Sequence, residues 1–337
     1  MPREDVPDAA VPAALERMGL LPGGAAPVFT RLEGGVSSDI WRVDVAGRAL
    51  CVKRALPKLR VAADWRVPVE RNLYEARWMR RAAEAAPGSA PALLGQDEAA
   101  GLLVMAFLPP ERYRLWKAEL SAGRVDCGFA ARVGATVARI HAVTAGSDAV
   151  AATFPTDAIF HDIRLEPYLL ATVGAHPDLA EPLAALAERT AGTRRAMVHG
   201  DVSPKNILAG PDGPVFLDAE CAWYGDPAFD IAFCLNHLLL KCLWVPEAAE
   251  SLLAGFDSLA SAYLAGVAWE PAAALEARAA RLLPGLFLAR VDGKSPVEYL
   301  TDAHDKDRVR RVARDLLLRP VDTLAAVRRA WAQELAR

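Results

Sequence analysis

Residues 199–230 decide the fold of this chain: they read HGDVSPKN from 199 to 206, FLDAE from 216 to 220 and GDPAFD from 225 to 230. Asp201 precedes Asn206 by five positions, and a second acidic pair, Asp218 and Glu220, follows about a dozen residues later. Phosphoryl transfer needs a carboxylate beside the attacking hydroxyl and hard oxygen ligands that hold Mg²⁺ against nucleotide phosphates. The spacing therefore predicts Asp201 as the catalytic base, with Asn206 and Asp218 as Mg²⁺ ligands.

The apolar runs around these residues place them at the ends of short strands. The run 214–217 delivers Asp218 at its carboxyl end, next to the loop that carries Asn206. In an extended segment Glu220 points to the same side as Asp218, which favours a second metal ligand over a partner for a nearby arginine. Lys205 is left open between a phosphate contact and a solvated side chain.

Two further residues of the stretch are assigned structural roles. Asp230 lies one turn into a very apolar helix predicted over 228–243, so its carboxylate needs donors, which the backbone around His199 is expected to supply. His199 itself is expected to pack under the loop. Asp226 with Pro227 after it predicts a helix start, with Asp226 as the N-cap.

A glycine loop and a lysine lie upstream in a strand-rich region. Strands are predicted at 27–32, 40–45, 49–53 and 101–105, with a hairpin turn after Val45. The loop between the first two strands is expected to bring backbone N–H groups to phosphates through Gly34, Gly35, Ser37 and Ser38. Lys53 ends an apolar strand and is expected to bind the α and β phosphates. Glu75 shares an apolar helix stripe with Met79, Ala82 and Ala86, and is preferred to Glu70 as the carboxylate that aims Lys53.

The strand 101–105 runs into Ala106, Phe107 and Leu108 and then breaks at two prolines. Such a break predicts a linker between lobes whose backbone would face the adenine. The expected domains are a nucleotide-binding lobe at 1–108 and a helical lobe at 109–337 with the catalytic loop and the acceptor site. The fold class is α+β, with a small antiparallel sheet lobe and a large helical lobe that includes one helix over 162–174.

Composition describes an ordinary soluble globular protein of 337 residues with a net charge of −3,. This gives no reason to expect nucleic acid or membrane as a partner. Five scattered cysteines without CxxC spacing suggest neither a disulfide framework nor a zinc site,. A cytoplasmic location is expected, because the acidic, proline-broken start is unlike a targeting peptide.

The motif set in 199–230 resembles the aminoglycoside phosphotransferase and choline kinase superfamily, which has a protein-kinase-like bilobal fold. The resemblance implies ATP and Mg²⁺ as cofactors, with Asp201 as base, Asn206 and Asp218 at the metal, and Lys53 at the phosphates. The stretch 52–61, Trp65, the tripeptide 69–71 and the run 218–225 are similar to the nucleotide lobe and the Asp-x-Glu motif of methylthioribose kinases. This favours Glu220 as the second metal ligand.

The sequence therefore predicts a kinase that phosphorylates a hydroxyl group of a small molecule. The acceptor is left open between a sugar such as a thiosugar, an amino alcohol and an aminoglycoside or other antibiotic; a non-catalytic nucleotide-binding regulator is the alternative outside enzymes. The polar residues Arg281, Arg290, Asp292 and Lys294 are left open between a solvent loop that interrupts the helices and part of the acceptor pocket. ATP or GTP preference and oligomeric state are also left open.

Overall fold

The structure is a computed structural model, and it describes residues 7–22, 26–32, 38–58 and 68–337. The chain forms two compact units, Met1–Pro109 and Pro110–Arg337. The division falls one residue after the position expected from the sequence.

The first unit is built on a five-stranded antiparallel sheet. In chain order its elements are helix α1 (Ala10–Arg17), strands β1 (Val28–Arg31), β2 (Ser38–Val45) and β3 (Arg48–Ala55), helix α2 (Arg71–Ala85), and strands β4 (Leu93–Asp97) and β5 (Leu102–Ala106). The strand order is β1-β2-β3-β5-β4. Apolar side chains of β2, β3 and β5 pack against α1 to form the core of this unit,.

The predicted strands are present, with bounds that differ by a few residues, and β4 was missed. Its sequence, LLGQD, contains a glycine and two polar residues and so lacks a strand pattern,. Pairing with β5 makes it a strand. The hairpin turn after β2 has positive φ at both Ala46 and Gly47, as a two-residue turn between twisted strands requires,.

The second unit is mainly helical, with short strands around the motif stretch. Its first half holds β6 (Arg114–Leu115), α3 (Trp116–Ser121), α4 (Cys127–Thr144), α5 (Asp148–Ala151), α6 (Asp157–Phe160), α7 (Ala180–Gly192) and β7 (Ala196–Val198). Its second half holds β8 (Ile207–Gly210), β9 (Gly213–Phe216), β10 (Trp223–Gly225), α8 (Ala228–Trp244), α9 (Ala249–Ala265), α10 (Ala272–Asp292), α11 (Ala303–Leu318) and α12 (Leu324–Leu335). Every residue of α8 except Trp244 is buried, so α8 is the central helix of this unit.

One helix prediction needs correction. The segment 162–174 is not a single α-helix: residues His161–Leu170 form a π-helix that passes into a 3₁₀ turn, Ala171–Gly174. Pro167 lies inside the π-helix and has no backbone N–H to donate,. The π-helix also carries Arg164, described below.

Candidate active site

The loop that carries Asp201 connects β7 to β8, and a buried carboxylate fixes its start. Asp230, in the first turn of α8, accepts hydrogen bonds at 2.8 Å from the backbone N–H groups of His199 and Gly200. His141, on α4, lies against the same carboxylate at 3.2 Å. The structural role predicted for Asp230 is therefore confirmed.

Gly200 allows this loop to approach the segment that follows Asp218. Its φ of 79° lies in the left-handed region. A Cβ atom at this position would lie 2.7 Å from the carbonyl oxygen of Cys221. Only glycine meets both conditions without displacing the backbone.

Asp201 is held as an ionised carboxylate. It is 4% exposed and forms ion pairs with Arg164 at 2.9 Å and with Lys205 at 3.2 Å. Burial by itself would raise the pKa of Asp201, but the charges of Lys205 and Arg164 outweigh it and hold that pKa well below its usual range,. The Arg164 guanidinium also donates from Nε to the carbonyl oxygen of Gly200, so it braces the loop as well as the carboxylate.

Sequence reasoning missed Arg164, and it offered two other roles for Lys205. Lys205 pairs with Asp201 instead, although half of its side chain is exposed. The one sequence signal for Arg164 is a charged residue between two apolar ones, Ile163 and Leu165. All three residues are buried in the structure. Such a charge needs a partner, but the pattern does not say which one.

His199 has a structural role, as expected. The backbone N–H of Asp201 donates to its Nδ1 at 3.1 Å, and its Nε2 lies 3.1 Å from the carbonyl oxygen of Leu217. These partners assign the neutral imidazole with its proton on Nε2. Burial lowers the pKa of His199, in keeping with that form. With both ring nitrogens bonded to backbone, the ring has no free position for proton transfer.

Asn206 and Asp218 lie at adjacent strand ends. Asn206 directly precedes β8 and Asp218 follows β9 by two residues, and the N–H of Leu217 donates to the carbonyl oxygen of Asn206 at 2.8 Å. The Asn206 side chain donates through Nδ2 to the backbone carbonyl of Asp201 at 3.2 Å, which leaves Oδ1 as its acceptor atom. Asp218 is half-buried and has a φ of 66°, a conformation that few non-glycine residues adopt,.

The chemistry of this donor set fits a hard divalent cation. Amide and carboxylate oxygens are the ligands that Mg²⁺ takes in proteins. Glu220 is buried two residues after Asp218, and its charge acts on Arg164. In the part of the chain that the structure describes, no three His, Cys, Asp or Glu side chains form a metal cluster, so the candidate set relies on the Asn206 amide beside the two carboxylates.

In the first unit the structure brings Lys53 and Glu75 together. Lys53, on β3, donates to both carboxylate oxygens of Glu75, on α2, at 2.7 and 3.0 Å. Both side chains are at least 95% buried. Glu70 is exposed just before α2 begins, so the preference for Glu75 as the partner of Lys53 is confirmed.

Only some of the other residues predicted to contact the nucleotide lie in the part of the chain that the structure describes. Gly34, Gly35 and Ser37 lie outside the described residues, while Ser38 is a buried residue at the start of β2. In the predicted linker, the N–H of Ala106 donates to the carbonyl of Ala92, and that of Phe107 donates to the carbonyl of Ala49. The N–H of Leu108 makes no hydrogen bond with another described residue.

The predicted polar interruption at 290–294 is wrong in part, because α10 continues through Asp292. Each of the four open residues has a partner: Arg281 pairs with Asp322, Arg290 contacts Tyr168 and Ser295, Asp292 pairs with Arg310 and His176, and Lys294 pairs with Glu166.

Asp226 accepts from the N–H of Ala228, where α8 begins, and pairs with Arg278 at 3.0 Å. The predicted helix start is wrong by one residue: Pro227, not Asp226, is the N-cap residue, and Ala228 is the first helical residue.

Comparisons with known proteins show which family and which fold this chain resembles. A family model described as "Phosphotransferase enzyme family" matches residues 28–275. A methylthioribose kinase of Erwinia tasmaniensis is 27% identical over 233 residues, which cover 60% of this chain and 57% of that protein. A methylthioribose kinase of a Geobacillus species is 26% identical, covering 72% of this chain and 67% of that protein. The chain thus spans little more than half of the Erwinia relative.

Two solved structures share the fold. An amicoumacin kinase in complex with AMP-PNP, Ca²⁺ and Ami matches with a TM-score of 0.56 and 14% identity, over 93% of this chain and 95% of that one. An ethanolamine kinase of Plasmodium vivax matches with a TM-score of 0.54 and 12% identity, over 95% and 84%. These likenesses confirm the predicted α+β kinase-like fold. In the described part of the chain, no helix is long and apolar enough to cross a membrane.

Proposed function

Because the chain belongs to the phosphotransferase enzyme family, we propose that it transfers the γ-phosphoryl group of ATP to a hydroxyl group of a small molecule. The observation that carries the proposal is the state of Asp201. It is a buried carboxylate, kept ionised by Arg164 and Lys205, on a loop that Asp230 fixes. A scaffold that only bound nucleotide would have no use for such a group.

Asp201 would accept a hydrogen bond from the acceptor hydroxyl and so orient its oxygen. As the bond from this oxygen to the γ-phosphorus forms, the bond from that phosphorus to the bridging oxygen breaks, and ADP leaves with the electron pair. The hydroxyl proton passes to Asp201. Because its pKa is lowered, Asp201 is a weak base, and we expect proton transfer late in the reaction, after most of the bond to the leaving group has broken,.

Asn206, Asp218 and Glu220 are the residues that would hold Mg²⁺. The bound ion would neutralise charge on the transferring phosphoryl group. The presence of AMP-PNP and Ca²⁺ in the amicoumacin kinase complex supports the choice of ATP with a divalent cation.

The first unit supplies the proposed contacts to the nucleotide. Lys53 would bind the α and β phosphates while Glu75 keeps its ammonium group in place,. The N–H of Leu108, which no described residue accepts, is the group of the linker suited to the adenine. Gly34, Gly35, Ser37 and Ser38 remain proposed phosphate contacts, and Ala106 and Phe107 remain proposed neighbours of the base.

The test is an ADP-release assay with Mg²⁺ and ATP, over thiosugars, sugars, amino alcohols and aminoglycosides. We expect one class to stimulate ADP release. Asp201→Asn should lower kcat by about a thousandfold and leave the dissociation constant of Mg-ATP within about threefold. Asp212→Asn, in the exposed turn between β8 and β9, is the matched control.

Two results would overturn the proposal. Near-normal turnover by Asp201→Asn would remove Asp201 from the chemistry. Binding of ATP without stimulation by any hydroxyl compound would support the nucleotide-binding regulator.

A further inference from the structure

A second group of basic side chains lies in the helical unit, along the face of α8 that begins at Asp230. His237 and Lys241 follow Asp230 by seven and eleven residues, so the three side chains lie on one helix face. His237 is 5% exposed and Lys241 is 1% exposed. Nothing in the proposed transfer of the phosphoryl group uses these two residues.

Lys241 is a buried lysine whose amino group, among the described residues, lies beside neutral groups. Its ammonium lies 3.5 Å from the hydroxyl of Tyr299, 4.6 Å from the centre of that ring and 5.2 Å from the centre of the Trp244 ring. In the described part of the chain, no carboxylate forms an ion pair with it. Glu298, whose charge acts on Lys241, pairs instead with Lys117. Burial lowers the pKa of Lys241 to about 7.

Arg290, on α10, is a buried cation with which no carboxylate in the described part of the chain forms an ion pair. Its Nη1 donates to the hydroxyl of Tyr168 at 3.2 Å, and to the hydroxyl of Ser295 at 3.0 Å and the carbonyl of the same residue. Its Nε is buried and has no hydrogen-bond partner among the described residues. The guanidinium therefore has a buried N–H donor, at Nε, that no described residue accepts.

His237 adds a buried ring nitrogen to the group. Its Nε2 makes no hydrogen bond with a described residue. Burial lowers the pKa of His237 well below its usual value, and the charges of Arg290 and Lys241 add to this effect. The three basic residues are therefore close enough to act on one another's charge.

The group is connected to Asp201 by two aromatic rings. Arg164, the partner of Asp201, lies over the rings of Tyr168 and Phe233 at 5.7 and 5.6 Å. Phe233 packs edge-on against His237 at 5.4 Å, and Tyr168 bonds to Arg290. The basic group is thus linked to the proposed catalytic carboxylate through Arg164 and these two rings, within the same unit.

Burying a charge away from water costs several kcal/mol unless an opposite charge compensates it. Ring contacts and neutral hydrogen bonds offset only part of that cost for Lys241 and Arg290. An oxyanion placed among Lys241, Arg290 and His237 would satisfy the free Nε and Nε2 atoms and both charges together.

We propose that the acceptor carries an anionic group, a carboxylate or a phosphate, that binds to Arg290, Lys241 and His237 while its hydroxyl lies at Asp201. This inference rests on the proposed function and narrows its acceptor to an anionic hydroxy compound. A neutral thiosugar or a cationic aminoglycoside or amino alcohol would leave the two cations uncompensated.

The first experiment measures anion binding without turnover. Acetate and inorganic phosphate are titrated, at constant ionic strength, into the full chain with isotope-labelled histidine, and the ring signal of His237 is followed by NMR after assignment with His237→Asn. We expect a saturable shift, with an affinity at least tenfold weaker in Arg290→Gln and in Lys241→Met. Arg281→Gln, an exposed arginine paired with Asp322, should bind as the wild type does. The inference is overturned if the wild type shows no saturable shift. It is also overturned if Arg290→Gln and Lys241→Met bind the anion as tightly as the wild type, as they would if both residues were only structural.

The second experiment compares matched acceptors in the ADP-release assay. Glycerate, glycerol phosphate, glycerol and aminopropanediol form one series; gluconate, glucose phosphate, glucose and glucosamine form another. We expect kcat/KM at least tenfold higher for an anionic member, with Arg290→Gln raising its KM about tenfold or more. The carboxylate and phosphate members identify which oxyanion is preferred.

The two proposals fail in different ways. A preference for a neutral or cationic acceptor that Arg290→Gln does not change would overturn the anionic acceptor and leave the kinase activity standing. Anion binding at His237 without turnover of any compound would contradict the kinase activity and leave the anion site standing.

Discussion

Asp230→Asn tests whether one buried carboxylate positions the catalytic loop. Asp230 accepts from Gly200 through Oδ1 and from His199 and His141 through Oδ2. Asparagine has the same shape but keeps only one oxygen. In its best orientation the oxygen retains the His199 and His141 contacts, and the amide NH₂ then faces the N–H of Gly200.

The cost follows from the lost contact. A hydrogen bond to a charged group contributes about 1.5–3 kcal/mol, and a buried donor left without an acceptor costs about 1–3 kcal/mol. These costs overlap, so we expect the free energy of unfolding to fall by about 3 kcal/mol. Gly200 directly precedes Asp201, so the carboxylate should shift and kcat should fall about a hundredfold. Mg-ATP binding should change little.

Urea titrations give the change in stability, and ADP release with a responsive acceptor gives kcat. Asp212→Asn removes the same charge from an exposed turn and should stay within about 0.5 kcal/mol of the wild type. Our reasoning is refuted if Asp230→Asn matches this control in stability and keeps kcat within about twofold.

Two more perturbations probe the other buried charges. Glu75→Gln leaves the Lys53 ammonium without its carboxylate, so we expect the dissociation constant of Mg-ATP to rise about tenfold and the free energy of unfolding to fall. Glu70→Gln, at an exposed position, should change neither quantity. Equal effects at both positions would contradict the role of Glu75. Lys241→Met should stabilise the protein, because the pKa of Lys241 is lowered from 10.5 to about 7. Below pH 7 the folded state must carry a buried charge. Between pH 7 and 10.5 the folded state releases a proton that the unfolded chain keeps, so the cost of burying Lys241 becomes smaller as the pH rises. The gain should be up to about 4 kcal/mol at pH 6 and about 2 kcal/mol smaller at pH 8.5 in urea titrations; a gain that does not depend on pH would show that Lys241 is not the charged group that burial penalises.

The local sequence predicted the helices and strands best where periodicity was strong. The helix predicted over 228–243 became α8, and the stripe that contains Glu75 became the buried face of α2. It failed at β4, which depends on pairing with β5, and at His161–Leu170, a π-helix with Pro167 inside it. Strand β4 depends on hydrogen bonds to another strand, and the π-helix depends on the geometry of a whole turn; neither can be recognised from the residue types of the segment alone.

For the proposed site, the sequence by itself determined the residue types and their spacing: the order of Asp201, Asn206 and Asp218 predicts a base and two metal ligands, because short strands place Asn206 and Asp218 at neighbouring ends. Only the tertiary structure decided the electrostatics. The ion pair of Arg164 with Asp201 and the hydrogen bond of Arg290 to Tyr168 join segments up to 122 residues apart. Because a buried charge is stabilised or penalised by whatever group reaches it in space, no local pattern could have shown which partner each one has.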